Sequence, residues 1–109
     1  MSLDTRFTER FGVTHPVAQA PVGSVTCPAL TAAVSAAGGL GSLAVTWRSP
    51  AAAKRAIGET ASRTDAPFAV NLVLDDATRR HPTDEHLAAC LDAGAPVVAA
   101  RRARRPRTF

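Results

Sequence analysis

At 109 residues the chain has room for one domain, and its 46% apolar content is that of a globular protein. The net charge of +4 and pI near 10.5 come from the carboxyl end, where residues 101–109 hold Arg101, Arg102, Arg104, Arg105 and Arg107 and no acid; without them eight basic side chains face nine acidic ones. A near-neutral body without interleaved aromatics or metal-finger spacing argues against nucleic-acid binding, and no apolar run reaches the ~18–20 residues that span a bilayer.

In chain order, residues 5–12 form a short lead-in in which Phe7 and Phe11, four apart, share a helical face, and it ends on Gly12. His15-Pro16 starts an extended segment, because a residue before proline is pushed away from the helical region. Residues 17–20 are the first expected strand, running into the turn Ala20-Pro21-Val22-Gly23. Thr26 is expected to cap the next helix, with Pro28 in its opening turn. Leu30, Val34 and Ala37 are expected as its buried stripe, and Gly38-Gly39 as its stop.

Residues 40–45 are the second expected strand. Ser49-Pro50 pairs a capping side chain with a first-turn proline, and the helix that follows runs to about Ser62. Ala53, Ala56 and Ile57 face inward on it, and Lys54, Arg55 and Glu59 outward. Residues 68–74 are apolar apart from Asn71, the pattern of a parallel strand covered on both faces. Residues 75–82 read as a polar loop. Thr83-Asp84-Glu85 opens a further helix with Leu87, Cys90 and Leu91 on one face and Gly94 at its end, and residues 95–99 are a fourth strand. Beyond them residues 100–107 have no periodicity and are expected to be disordered.

Only 17 positions separate Val22 from Gly39, and a helix fills them, so the first two strands run parallel. Strand and helix in alternation make half of a (β/α)8 barrel or half of a doubly wound sheet. In both, ligands sit beyond the carboxyl ends of the strands. The turn at residues 21–23 is therefore the first place to look for chemistry. Asn71 is the one amide in an apolar strand and needs a partner, which a ligand or a neighbouring loop can supply.

The remaining candidates read blandly. Gly38-Gly39-Leu40-Gly41 lacks the G-x-G-x-x-G spacing and follows a helix, so it is a cap and strand entry. Cys27 and Cys90 lie 63 positions apart with no C-x-x-C pattern, which argues against zinc. Without an apolar stretch near Met1 for a signal peptide, a reducing cytoplasm is the expected compartment. Cys27, beside a helix start, is mildly reactive if exposed. His15 reads as a turn residue before proline, and His81 and His86 as solvated. Trp47, after the second strand, is either an aromatic pocket wall or hydrophobic cover.

Over residues 5–98 the sequence resembles the amino-terminal part of the nitronate monooxygenase family, formerly the 2-nitropropane dioxygenases. It is also similar to the flavin-dependent enoyl-acyl-carrier-protein reductases. The residues that carry the match are Phe11-Gly12-Val13-Thr14-His15-Pro16, Gln19-Ala20-Pro21, Ala33-Val34-Ser35-Ala36-Ala37-Gly38-Gly39-Leu40-Gly41, Ser49-Pro50 and Ala66-Pro67-Phe68-Ala69-Val70-Asn71-Leu72. Their order and spacing together make the match specific.

The resemblance implies an α/β fold, the amino-terminal half of an FMN-dependent (β/α)8 barrel cut off after about four strands. Residues 1–98 would be the barrel part and residues 99–109 a non-homologous arginine-rich tail. It implies that Ala20, Pro21, Val22 and Gly23 form a turn under the flavin ring, with Val22 where the family usually carries methionine, and that Asn71 contacts FMN. The implied reaction is oxidation of an alkyl nitronate by O2 to a carbonyl compound and nitrite. The family's phosphate loops and catalytic base come from the later strands, so no catalytic residue is assigned, and none of His15, His81 or His86 matches that base.

A complete barrel needs about 250 residues. Residues 99–107 have the Arg, Ala and Pro composition of high-GC DNA read out of frame, so a frameshift or misplaced gene end near Val98 is expected, with a chain inactive alone. The alternatives are a fragment of a flavin-dependent enoyl reductase, a truncated product without function, and a small nucleic-acid binder with a basic tail.

Overall fold

The computed structural model describes residues 3–22, 26–74 and 83–102. Gly23, His81, the expected loop at 75–82 and residues 103–109 lie outside the described residues.

Helix α1 (Arg6–Phe11) starts on a reciprocal cap. The Thr8 N–H donates to Thr5 Oγ1 at 3.2 Å, and the Thr5 N–H donates to Thr8 Oγ1 at 2.8 Å. It stops at Gly12, whose φ of 67° is the left-handed conformation that glycine adopts without strain. As the four-residue spacing predicts, Phe7 and Phe11 meet edge to face, with ring centroids 5.0 Å apart.

The segment 17–20 runs beside the start of β1 (Gly41–Ala44) but is not a full strand. It makes one parallel bridge, Ala18 to Leu40. The Leu40 N–H donates to the Val17 carbonyl at 2.8 Å, and the Gln19 N–H to the Leu40 carbonyl at 3.0 Å. Pro21 has no N–H with which to extend this ladder.

Helix α2 (Pro28–Ala36) departs from expectation twice. Its cap residue is Cys27, which makes no side-chain cap bond. Thr26 instead bonds back to Val22, its Oγ1 accepting from the Val22 N–H at 2.6 Å. The buried stripe is Thr31, Ala32 and Ser35, whereas Leu30 and Ala37 are exposed and Val34 half-buried. Hydrogen bonding decides the face. Ser35 Oγ accepts from the Gly41 N–H at 2.9 Å, and Thr31 Oγ1 donates to the Ser42 carbonyl at 3.2 Å. The helix comes this close only because residue 41 is glycine: a Cβ there would overlap the Thr31 carbonyl oxygen.

Helix α3 (Pro50–Arg63) follows the reading closely. Ser49 Oγ accepts from the Ala52 N–H at 3.1 Å, and Ala53, Ala56 and Ile57 are buried. Strand β2 (Phe68–Leu74) has the expected bounds. Helix α4 (Thr83–Asp92) buries His86, Ala89 and Cys90, of which Cys90 alone was on the expected stripe. Leu87 and Leu91 are 37% and 60% exposed, and His86, expected in solvent, is 1% exposed. Strand β3 (Val97–Arg102) starts two residues later than expected and runs further, pairing Leu72, Val73 and Leu74 with Ala100, Arg101 and Arg102. Residues 100–102, expected to be disordered, are therefore part of the sheet.

All pairings are parallel in the order β1-β2-β3, with the segment 17–20 next to β1. Position in the sheet follows position in the chain without reversal. A doubly wound sheet must reverse at a switch point. Right-handed crossovers between successive neighbours instead keep every helix on one face, which is the construction of a barrel wall. The core lies on that face, where Leu43, Val45, Phe68, Val70 and Leu72 pack against Ala53, Ala56, Ile57 and Cys90. Strand side chains alternate, so Ala44, Ala69, Asn71 and Val73 point to the other face.

Candidate functional site

The carboxyl ends of parallel strands collect main-chain groups and loops on one rim. Here the rim comprises the turn at residues 20–22, the turn after β1 and the projecting ends of β2 and β3.

Asn71 lies opposite Ala44, the last residue of β1, and opposite Ala99 of β3. β2 continues three residues past it to Leu74, so Asn71 is level with the end of β1 rather than at the end of its own strand. Val70 and Leu72 belong to the core on the helix side, which puts the Asn71 carboxamide on the opposite face. Alanines flank it in register, leaving it uncrowded. It is half-buried and makes no hydrogen bond to another described residue. A polar group held among apolar neighbours without a partner is poised for a ligand.

Ala20, Pro21 and Val22 are exposed, Val22 by 48%. β1 stands between this turn and β2, so the structure places the turn and Asn71 on the same rim but not in contact. Two strand spacings amount to about 10 Å, a gap that a flat polycyclic ligand can bridge.

Two contributors were not assigned a role from sequence, although Gln19 lies in the matching motif. Thr46 pins the turn after β1, its Oγ1 accepting from the Val73 N–H at 2.9 Å while the Val45 N–H donates to the Asn71 carbonyl at 3.1 Å. That turn carries Trp47, which at 62% exposure covers no core and stands free at the rim. Gln19 is the other, its carboxamide bonded to the main chain of Ser42. The Pro two positions after Gln19 was the available signal.

A cavity of about 290 Å³ is lined by His15, Val17, Val34, Ala37 and Gly39. His15, Val17 and Gly39 lie at the amino-terminal ends of the first two extended segments and Val34 and Ala37 at the carboxyl end of α2, the side of the sheet where barrel architecture stabilises rather than catalyses. It is not the candidate site. The two cysteines are free: Cys27 is exposed, while burial pushes the Cys90 thiol above its ordinary value. Among the described residues no group of three His, Cys, Asp or Glu side chains could hold a metal ion. Among the described residues no helix is long and apolar enough to cross a membrane.

A nitronate monooxygenase from Pseudomonas aeruginosa is 44% identical over 80 residues, covering 73% of this chain and 23% of its own. A (3aS,4S,5R,7aS)-5-hydroxy-7a-methyl-1-oxo-octahydro-1H-indene-4-carboxyl-CoA dehydrogenase from Rhodococcus jostii is 41% identical over 83 residues, 76% of this chain and 24% of its own. The chain thus spans about a quarter of the curated relatives it matches. Among solved structures, FabK from Thermotoga maritima superposes with a TM-score of 0.81 at 33% identity, over 91% of this chain and 30% of FabK. A nitroalkane oxidase from Streptomyces ansochromogenes does so at 0.74 and 29% identity, over 88% and 35%. The family model for nitronate monooxygenase matches residues 4–104. With so little outside that match, the chain belongs to the nitronate monooxygenase family.

Proposed function

We propose that this chain supplies the ring-side part of an FMN-dependent (β/α)8 oxidoreductase that oxidises alkyl nitronates with O2 to a carbonyl compound and nitrite. Ala20, Pro21, Val22, Gly23 and Asn71 would contact the flavin. The observation that carries this reading is the Asn71 carboxamide, set among alanines on the face away from the helices, with no described protein partner. A buried-edge amide of that kind matches the alternating donors and acceptors on the edge of a flavin ring. The flavin, when bound, supplies electron transfer between nitronate and oxygen. The chain's own residues orient the ring: the exposed turn at 20–22 offers a main-chain surface, and Val22 a smaller apolar contact than the family's usual methionine. No proton-accepting role falls to His15, His81 or His86.

The complete reaction is proposed for a closed barrel, since the phosphate end of the cofactor has no assigned ligands here. By itself the chain would bind FMN weakly or not at all and be inactive. The same reading places it in the cytoplasm. The good overlay on FabK favours one second reading, flavin-dependent enoyl reduction using the same ring contacts.

The test is a chimera in which the matching 80-residue stretch of the Pseudomonas aeruginosa enzyme is replaced by this chain's residues. Retained FMN with nitrite release from an alkyl nitronate is the expected result. A yellow chimera that oxidises NADPH with an enoyl thioester and releases no nitrite would select the second reading.

A further inference from the structure

The parallel ladder between the first segment and β1 stops after one bridge. With Ala18 opposite Leu40, the next pair in register is Ala20 opposite Ser42. In a parallel ladder that pair needs two bonds, from the Ser42 N–H to the carbonyl of residue 19 and from the N–H of residue 21 to the Ser42 carbonyl. Residue 21 is proline and has no N–H to give. The Gln19 side chain makes both bonds instead. Its Oε1 accepts from the Ser42 N–H at 3.3 Å, and its Nε2 donates to the Ser42 carbonyl at 3.1 Å. The same Nε2 donates to the Ala20 carbonyl at 3.1 Å, the first peptide of the turn. Thr31 Oγ1 reaches the Ser42 carbonyl from α2 at 3.2 Å, so both of its lone pairs are engaged.

We propose that Gln19 is the positioning residue of the ligand turn. Its carboxamide stands in for the ladder pair that Pro21 forbids, closing the sheet edge while releasing residues 20–22 to bend away and meet a planar ligand. What the turn meets rests on the flavin reading; how the turn is held rests on hydrogen bonds alone. Glutamate would keep the acceptor, lose both donated bonds and set a carboxylate against two carbonyls. Asparagine is one methylene short. Glutamine combines the donor and the acceptor at this reach.

Pro21→Ala restores an N–H at position 21, so in the double variant Gln19→Ala/Pro21→Ala the ladder can close on Ser42 without the side chain. A clasp that served stability only would be fully replaced; a positioning residue would not. The experiment follows amide exchange and amide resonances of the full 109-residue chain as wild type, Gln19→Ala and the double variant, each with and without excess FMN. In Gln19→Ala the Ser42 amide should exchange roughly tenfold faster, the scale of one lost hydrogen bond. In the double variant Ser42 should regain its protection, while Ala20 and Val22 move from their wild-type resonances and stop responding to FMN. Unchanged Ser42 exchange in Gln19→Ala overturns the proposal, as do wild-type Ala20 and Val22 resonances in the double variant. Should Gln19→Ala not fold, the double variant decides alone. Because the chain alone binds FMN weakly on the proposed reading, a wild-type turn that ignores FMN leaves the flavin reading to the chimera, and the exchange and resonance results decide the role of Gln19 either way.

Discussion

Replacing Asn71 by alanine removes a carboxamide that no described residue uses, so it should barely touch the fold. Urea unfolding should place Asn71→Ala within about 0.5 kcal/mol of wild type, while the chimera carrying it should lose FMN. An amide serving the fold would instead show a cost of about 1 kcal/mol or more. Cysteine chemistry makes a second prediction. In the unfolded chain the Cys90 thiol ionises near its ordinary 9.0, and in the fold only at higher pH, because burial disfavours the thiolate. Between those two values the fold holds a proton that the unfolded chain has released. Stability should therefore decline as pH rises through that alkaline window, and Cys90 should add no pH dependence below it. A thiol reagent at neutral pH should modify exposed Cys27 quickly and reach Cys90 only as fast as the chain opens. Equal rates at both would contradict the burial of α4.

Among the elements, the contact of α2 with β1 is the least tolerant of change. Gly41→Ala would drive a methyl into the Thr31 carbonyl and to within 2.7 Å of Ser35 Oγ. We expect a loss of about 3 kcal/mol, read from the urea midpoint. This contact also explains why sequence reading succeeded for some elements and not for others. Helix α3 and strand β2 were legible because their signals are local: Ser49-Pro50 starts one, and an unbroken apolar run defines the other. The inward faces of α2 and α4 were not, because counting apolar residues overlooks what the partner strand requires. The first main-chain groups of β1 need hydroxyls, so Thr31 and Ser35 turn inward and Leu30 outward. The segment 17–20 looked like a strand, and only its register against Leu40 shows why Pro21 ends the pairing after one bridge. For the candidate site, residues 20–22 and Asn71 stand out in the sequence by residue type. Their separation by β1 does not, nor does the tether from Thr46 to Val73, since both depend on pairings across more than twenty residues.

For the molecule as a whole, four of the exposed apolar side chains belong to the first and last strand–helix units, the two flanks of the described structure, while Leu3, Val22 and Trp47 are exposed elsewhere. Val17 and Leu30 stand at the first flank, Leu87 and Leu91 at the last, with Val17 59% and Leu91 60% exposed. Chains of this length should therefore self-associate as concentration rises. The double variant Leu87→Lys/Leu91→Lys should lower the sedimentation-average mass without lowering the melting temperature. If the mass stays the same, these flanks do not drive the association. The sheet order has another effect, on how the chain acquires its shape. The widest pairing in the sheet, Ala69 with Val97, joins positions 28 apart, and Ala18 meets Leu40 after 22. Each pairing among the described strands joins neighbours in the chain, so loop closure there stays short and early. A nascent chain leaving the ribosome can thus add one strand–helix unit at a time onto the wall already laid, in the direction of its own synthesis.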